Sequence, residues 1–167
     1  VMFTPALERI LVIAAQGAQD RRHAHLTTEH VLLPIAHDPA GRKILSGSGA
    51  EVDHLVASLT AYLEEQLDRL PDGSRKAPQQ TVGFRRLLQS AVLHVQSAGK
   101  NEADIGDVLA ALMQQPKSFA AETLTAQGVT RLDVLNYISH GVAKRPAGAP
   151  SSAAPAGDGE EGSPAAR

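Results

Sequence analysis

Three histidines and a glutamate lie close together in the segment RHAHLTTEH, residues 22–30. His23, His25 and His30, with Glu29 beside the last of them, are residue types that bind zinc. The H-E-x-x-H spacing of a zinc hydrolase is absent, and the chain has no cysteine that could add a ligand. We therefore interpret these histidines as solvated side chains in a loop and at a helix start, and we expect no cofactor. A small metal-dependent hydrolase that uses His23, His25 and His30 is kept as an alternative.

Other motifs that carry catalysis are also missing. The segment SAGKNE, residues 97–102, contains Gly-Lys but lacks the earlier glycine and the following Ser or Thr of a phosphate-binding loop. The G-x-S-x-G turn of a serine hydrolase is not found either. We expect a chain without catalytic residues of its own.

The composition favours a helical protein. Of 167 residues, 43% are hydrophobic but only 3% are aromatic, so the core must consist of small aliphatic side chains, which suit packed helices better than a β-sandwich. A net charge of −2 gives no basic surface for nucleic acid. No apolar run reaches the roughly 18 residues needed to span a bilayer. The absence of cysteine is consistent with a cytoplasmic location.

One segment of the chain has a similar counterpart later in the sequence. TTEHVLLPIAHDP, residues 27–39, returns as DIGDVLAALMQQP, residues 104–116, with the final prolines 77 positions apart. The same offset aligns the apolar stripe that starts at Leu7 with the stripe that starts at Phe84. Self-similarity at a fixed offset indicates duplicated units. We therefore predict an all-α fold of two pseudo-symmetric four-helix repeats, with about eight helices.

Capping residues mark where the helices begin. Thr4 and Thr81 precede the first helix of each repeat, and Thr27 and Asp104 precede the second. Short third helices are expected near 40–46 and 117–126, and the fourth helices begin near Glu51 and at the capping box of TRLD, residues 130–133. Pro34 falls inside the second helix, which predicts that this helix is kinked or shorter than its counterpart.

These signals divide the chain into two parts. The folded domain is expected over 3–143, with repeat one at 3–69, a loop at 70–80 and repeat two at 81–143. In 146–167, 18 of 22 residues are Ala, Gly, Pro or Ser, a composition typical of a flexible linker. We place that linker at 144–167 and expect the isolated domain to be a monomer.

Three sequence segments resemble those of one family: LTTEHVLL (26–33), FRRLLQSAVLHVQSAGKNEA (84–103) and TRLDVLNYISHG (130–141). They are similar to the N-terminal domain of the ClpA-type AAA+ unfoldase, the regulatory ATPase of the Clp protease. The resemblance covers residues 3–143. It implies a mobile module that docks a ClpS-type adaptor, which delivers substrates with destabilising N-terminal residues. It also implies that AAA+ rings and the Clp peptidase are reached through a further part of the protein. The alternative is a freestanding Clp-N protein that binds substrates or small molecules without an ATPase.

The resemblance also suggests adaptor-binding residues: Glu29, Thr81 and Arg86. The position of Glu29 corresponds to Gly106 in repeat two, so we expect that the fold does not require an acid there and that Glu29 is exposed. In that case Glu29→Arg should weaken adaptor binding at least tenfold without changing thermal unfolding. Helix capping alone remains the alternative for Glu29. Thr81 could simply cap its helix, and Arg86 could be a solvated side chain or form an intramolecular salt bridge.

Overall fold

Eight helices account for most of the computed structural model, which describes residues 2–115 and 117–144. Repeat one contributes α1 (Pro5–Asp20), α2 (Thr28–His37), α3 (Pro39–Gly47) and α4 (Val52–Glu65). Repeat two contributes α5 (Val82–Ser97), α6 (Ile105–Leu112), α7 (Phe119–Ala126) and α8 (Arg131–His140). The bounds of α5 are those of α1 displaced by 77 residues. The predicted all-α fold of two four-helix repeats is confirmed.

Four two-residue strands join the repeats reciprocally. They are β1 (Met2–Phe3), β2 (His25–Leu26), β3 (Gln79–Gln80) and β4 (Glu102–Ala103). β1, which leads into α1, pairs in parallel with β4, which leads into α6. β3, which leads into α5, pairs in the same way with β2, which leads into α2. Each repeat therefore lends the strand before its first helix to the strand before the second helix of the other repeat.

The duplicated stripes form the core. Most members of both are buried, and only Leu11 and Leu88 are half-buried. The buried members are Leu7, Ile10, Ala14 and Ala18 on α1, and Phe84, Leu87, Ala91 and Val95 on α5. All eight residues of α6 are buried, and α2 is buried except at Pro34 and His37. Because α2 and α6 bury almost every residue, they lie at the centre and are covered by the other helices.

The predicted caps are present. The hydroxyl of Thr4 accepts a hydrogen bond from the Leu7 amide at 3.2 Å, and that of Thr81 accepts one from the Phe84 amide at 3.0 Å. The box from Thr130 to Asp133 closes in both directions, and Gly141 ends α8 in the left-handed conformation with φ of 66°. Local sequence thus determines where these helices start and stop.

Two expectations need correction. Of the two alternatives for Pro34, a shorter helix is wrong, because α2 runs through Pro34 for 10 residues whereas α6 has 8, and a kink stays a prediction. Lys144, predicted as the first residue of a flexible linker, is held by the domain. Its amide donates to the Gly47 carbonyl at 2.7 Å, and its ammonium contacts the Gly128 carbonyl and the Asp133 carboxylate. The remainder of the predicted linker, 145–167, lies outside the described residues.

Candidate protein-docking site

The starts of α2 and α5 come together, which places two of the three predicted adaptor-binding positions next to each other. The β2–β3 pairing aligns Leu26 with Gln80. Just beyond it, the amide of Thr81 donates to the Leu26 carbonyl at 3.1 Å. Glu29 follows three residues after Leu26. The structure therefore builds one junction from the N-termini of two helices in different repeats.

Glu29 is buried at this junction, so the prediction that it is exposed is wrong. Only 4% of the residue is accessible. One carboxylate oxygen accepts a hydrogen bond from the Ala120 amide at 2.8 Å and lies 3.1 Å from the hydroxyl of Thr28, which donates to it. Ala120 is the second residue of α7, where the positive end of the helix favours a carboxylate. Glu29 therefore caps a helix of the other repeat.

The contrast between Glu29 and Gly106 also has a packing cause. A Cβ atom on Gly106 would lie 2.7 Å from the Cγ2 atom of Ile138 on α8. Repeat two thus leaves no room for a side chain where repeat one places a glutamate against α7. The absence of an acid at position 106 is therefore explained by packing, and the comparison with Gly106 is not a basis for assigning Glu29 to the surface. Glu29→Arg is now expected to destabilise the domain, because it would bury a cation against the start of α7.

Thr81 and Arg86 lie at the accessible start of α5. Thr81 is half-buried, and its hydroxyl is used as the α5 cap. Arg86 is exposed, and none of the salt bridges formed by residues 2–115 and 117–144 involves it. The neighbouring Arg85 donates instead to the Gln80 carbonyl at 2.9 Å and so supports β3. Arg86 is the cation of this pair that a partner could engage.

An apolar strip continues along α5 from Arg86. Val82 is 58% exposed and Leu93 is 62% exposed, so both present apolar surface to solvent. Leu93 follows Arg86 by seven residues, two helical turns, and so lies on the same side of the helix. A shallow hollow of about 420 Å³ is lined by Leu88, Gln89, Val92 and Leu93. We call Thr81, Val82, Arg86 and Leu93 the α5 face.

Two of the histidines form a buried pair, which contradicts the interpretation that they are solvated. His23 is 0% and His30 2% exposed, and Nδ1 of His23 lies 2.8 Å from Nε2 of His30. The amide of Thr27 donates to Nδ1 of His30 at 3.0 Å, so His30 is the reciprocal member of a capping box. Burial, with smaller contributions from His23 and Arg21, lowers the pKa of His30 to about 4. Burial also lowers the pKa of His23.

The described residues give the metal alternative no support. Among residues 2–115 and 117–144, no group of three or more His, Cys, Asp or Glu side chains is placed to hold a metal ion. His25 is exposed, whereas His23 and His30 form the buried pair. The three histidines that are close in sequence therefore do not form a common site in the structure.

Comparison with known proteins shows the family. Residues 2–127 match the family described as the Clp repeat (R) N-terminal domain. The chain belongs to the Clp N-terminal domain family. A ClpA homolog protein of Fuscovulum blasticum is 35% identical over 147 residues, which are 86% of this chain and 18% of that protein. The Clp N-terminal domain described here thus spans less than a fifth of the length of that relative.

Solved structures share the fold. The Hsp104 N-terminal domain from Candida albicans has a TM-score of 0.72 at 12% identity, covering 86% of this chain and 95% of that one. A ClpV N-domain solved in complex with a VipB peptide has a TM-score of 0.66 at 22% identity, covering 83% and 85%. The family assignment makes this Clp N-terminal domain a non-catalytic binding domain. In the part that the structure describes, no helix is long and apolar enough to cross a membrane.

Proposed function

We propose that this chain recruits substrates to a cytoplasmic AAA+ unfoldase of the Clp protease by docking a ClpS-type adaptor on the α5 face. The observation that supports this most directly is the exposed cation Arg86, which has no salt bridge among the described residues and lies in line with the exposed apolar side chain of Leu93. The adaptor delivers proteins with destabilising N-terminal residues. The chain itself needs no cofactor for this task.

The α5 face suits a partner that presents a carboxylate beside an apolar side chain. The guanidinium of Arg86 can donate two parallel hydrogen bonds to a carboxylate, and this fixes orientation as well as adding affinity. An exposed ion pair contributes little by itself, so the partner must also exclude water from the pair. The hollow beside Leu93 provides apolar surface for that purpose.

Thr81 and Glu29 have different roles in this proposal. The Thr81 cap fixes the start of α5 and presents its partly accessible hydroxyl to the partner. Glu29 acts from inside the domain, because its bond to the Ala120 amide holds the two repeats in register beneath the junction. Glu29 is therefore a positioning residue, and Arg86 is the residue that we propose contacts the adaptor directly.

Calorimetric titration with a purified ClpS-type adaptor tests the proposal. Arg86→Glu should weaken binding at least tenfold, which corresponds to about 1.4 kcal/mol. Arg9→Glu is the matched control, since Arg9 is also exposed and occupies the equivalent position on α1. Both variants should unfold at the wild-type temperature. Equal affinities for Arg86→Glu and wild type, or equal losses in the two variants, would contradict the assignment of the α5 face.

Direct capture of a peptide segment is a second candidate, favoured by the exposed apolar side chains on α5. It differs from adaptor docking in its dependence on charge. Leu93→Ser should weaken binding of an amphipathic probe peptide while Arg86→Glu leaves that binding unchanged. If both substitutions impair adaptor binding and neither affects the peptide, adaptor docking alone is supported.

A further inference from the structure

The docking proposal assigns no role to the His23–His30 pair, which lies between the end of α1 and the start of α2. His23 lies in the connection between α1 and α2, and His30 lies in the first turn of α2. His23 also forms an isolated antiparallel bridge with Arg69, and the Leu63 carbonyl of α4 faces its ring. The pair thus ties the connection between α1 and α2 to the end of α4.

The hydrogen bonds of the pair fix where its protons are. Since the Thr27 amide donates to Nδ1 of His30, that nitrogen must be an acceptor, and the proton of His30 is on Nε2. This proton is donated to Nδ1 of His23, so His23 carries its own proton on Nε2. Within residues 2–115 and 117–144, the buried Nε2 of His23 has no hydrogen-bond partner. Both rings are therefore neutral, and each depends on the other's tautomer.

A further proton cannot enter without breaking this arrangement. On Nδ1 of His30 it could be donated to the Thr27 hydroxyl, which lies 2.9 Å away, but it would face the Thr27 amide hydrogen. On Nδ1 of His23 it would face the N–H group of His30. Either position places two donors against each other, so protonation opposes the folded geometry.

The surrounding charges act in the same direction. The charged groups that act on the pair are the cations Arg21 and Arg69. A small cavity of about 50 Å³ beside His23 is also lined by Arg22, Arg75 and Lys76. Arg22 is paired at 2.6 Å with Asp72, whose carboxylate is almost fully exposed to solvent. A positive charge on the pair would therefore add to an already cationic surrounding.

In repeat two, an ion pair occupies the positions equivalent to His23 and His30. At the offset of 77 residues, His23 corresponds to Lys100 and His30 corresponds to Asp107. The ammonium of Lys100 lies 3.3 Å from the carboxylate of Asp107, and His94 lies 3.5 Å from the same oxygen. Asp107 also accepts from the Asp104 amide at 2.8 Å, as His30 does from the Thr27 amide. The two repeats thus share one geometry but differ in how protons affect it.

We propose that the His23–His30 pair is an acid-sensitive latch, which opens the α1–α2 connection of repeat one at mildly acidic pH while repeat two stays closed. The connection stays closed while both rings are neutral. It opens when a ring takes up a proton as the pH falls below the ordinary histidine pKa of about 6.5. In repeat two the matching contact joins the ammonium of Lys100 to the carboxylate of Asp107, so it does not depend on a neutral imidazole ring, and we expect the matching connection to hold. The proposed latch does not rest on adaptor docking and requires no partner to open.

The sign of the pH dependence follows from the lowered pKa values. In the unfolded chain the histidines titrate near 6.5, whereas in the folded domain His30 titrates at about 4. The stabilisation is complete above the unfolded value and is lost as the pH falls from 6.5 towards 4, because the open form binds protons first. Each pH unit in this window should favour opening by up to about tenfold for each histidine.

Amide hydrogen exchange measured by NMR provides a matched comparison within one molecule. The Thr27 and Asp104 amides occupy equivalent caps, as do the Thr81 and Thr4 amides, which donate to the Leu26 and Ala103 carbonyls. After correction for intrinsic rates, protection of Thr27 and Thr81 should fall at least about tenfold relative to Asp104 and Thr4 between pH 6.5 and 5. Parallel changes in both sets would overturn the proposal.

Titration of the histidine ring signals tests the same idea in the wild-type domain. The pKa values of His23 and His30 should lie below the ordinary histidine value of about 6.5, and both rings should titrate together with the loss of Thr27 protection. The variant His30→Asp places the repeat-two carboxylate in repeat one and should keep Thr27 protected at pH 5, whereas His25→Gln should behave as wild type. Ordinary titration of both buried rings, without loss of Thr27 protection, would overturn the proposal even if His30→Asp failed to fold.

Discussion

Removing the Glu29 carboxylate should destabilise the whole domain, because that group connects the two repeats. In Glu29→Ala, the amide of Ala120 loses its partner while remaining 0% exposed. A hydrogen bond to a charged group contributes about 1.5–3 kcal/mol, and a buried donor left unsatisfied costs a similar amount. We expect the free energy of unfolding to fall by about 1.5–3 kcal/mol.

This loss of unfolding free energy corresponds to a lower melting temperature. For a domain of this size, 1 kcal/mol corresponds to about 3–4 °C, so Glu29→Ala should melt about 5–12 °C below wild type. Denaturant titration followed by circular dichroism gives the free energy directly. Glu29→Gln retains an acceptor for the Ala120 amide and should lose less than Glu29→Ala, since the neutral bond is weaker but not absent.

Glu64→Ala is the matched control. Glu64 is exposed on α4, and no hydrogen bond or salt bridge of its side chain is found in the described part of the chain. Its substitution should change stability by less than about 0.5 kcal/mol. If Glu29→Ala unfolds with the same free energy as Glu64→Ala, the carboxylate does not join the repeats and the structural role assigned to Glu29 is refuted.

Three further substitutions, one of them a control, test the packing and the end of the domain. Gly106→Ala should destabilise by about 1–3 kcal/mol, because its methyl group would press against Ile138. Gly83→Ala meets only ordinary contacts on α5 and should be neutral or slightly stabilising in the same denaturant titration. Lys144→Ala should raise the pKa of Asp133, measured by NMR titration. Burial raises this pKa, but hydrogen bonds from Lys144 and the Thr130 amide and hydroxyl hold it below its usual value. An unchanged pKa would show that the Lys144 contact does not persist in solution.

Much of the fold could be predicted because it depends on local patterns. The stripe at Leu7 and its copy at Phe84 follow from helical periodicity, and the Thr4 and Thr81 caps follow from side chains that bond within one turn. The 77-residue offset relates these elements without any knowledge of their packing. This information was sufficient for the number, order and approximate bounds of the helices.

The burial of Glu29 could not be predicted in this way, because its partner is the Ala120 amide, 91 residues away in the other repeat. Comparing the repeats position by position assumed that equivalent residues meet equivalent surroundings. Position 29 faces the start of α7, whereas position 106 faces Ile138 of α8. Tertiary packing between the repeats, and not helix propensity, decides which side chain fits.

The histidine pair did leave a signal in the sequence. His30 is the third helical residue after the Thr27 cap, the position where a capping box usually has glutamate or glutamine. The offset of 77 also aligns His23 and His30 with the oppositely charged Lys100 and Asp107. Aligned positions that hold an ion pair in one repeat are candidates for a contact in the other. The signal therefore indicated proximity, although not burial.

Mapping the adaptor footprint on the domain by NMR tests the proposed function most directly. Titration of an unlabelled ClpS-type adaptor into the labelled domain should shift the backbone amides of Thr81, Val82, Arg86 and Leu93, with those of α1 largely unaffected. Shifts confined to α1, or to α3 and α8, would contradict docking on the α5 face. So would the absence of shifts at saturating adaptor.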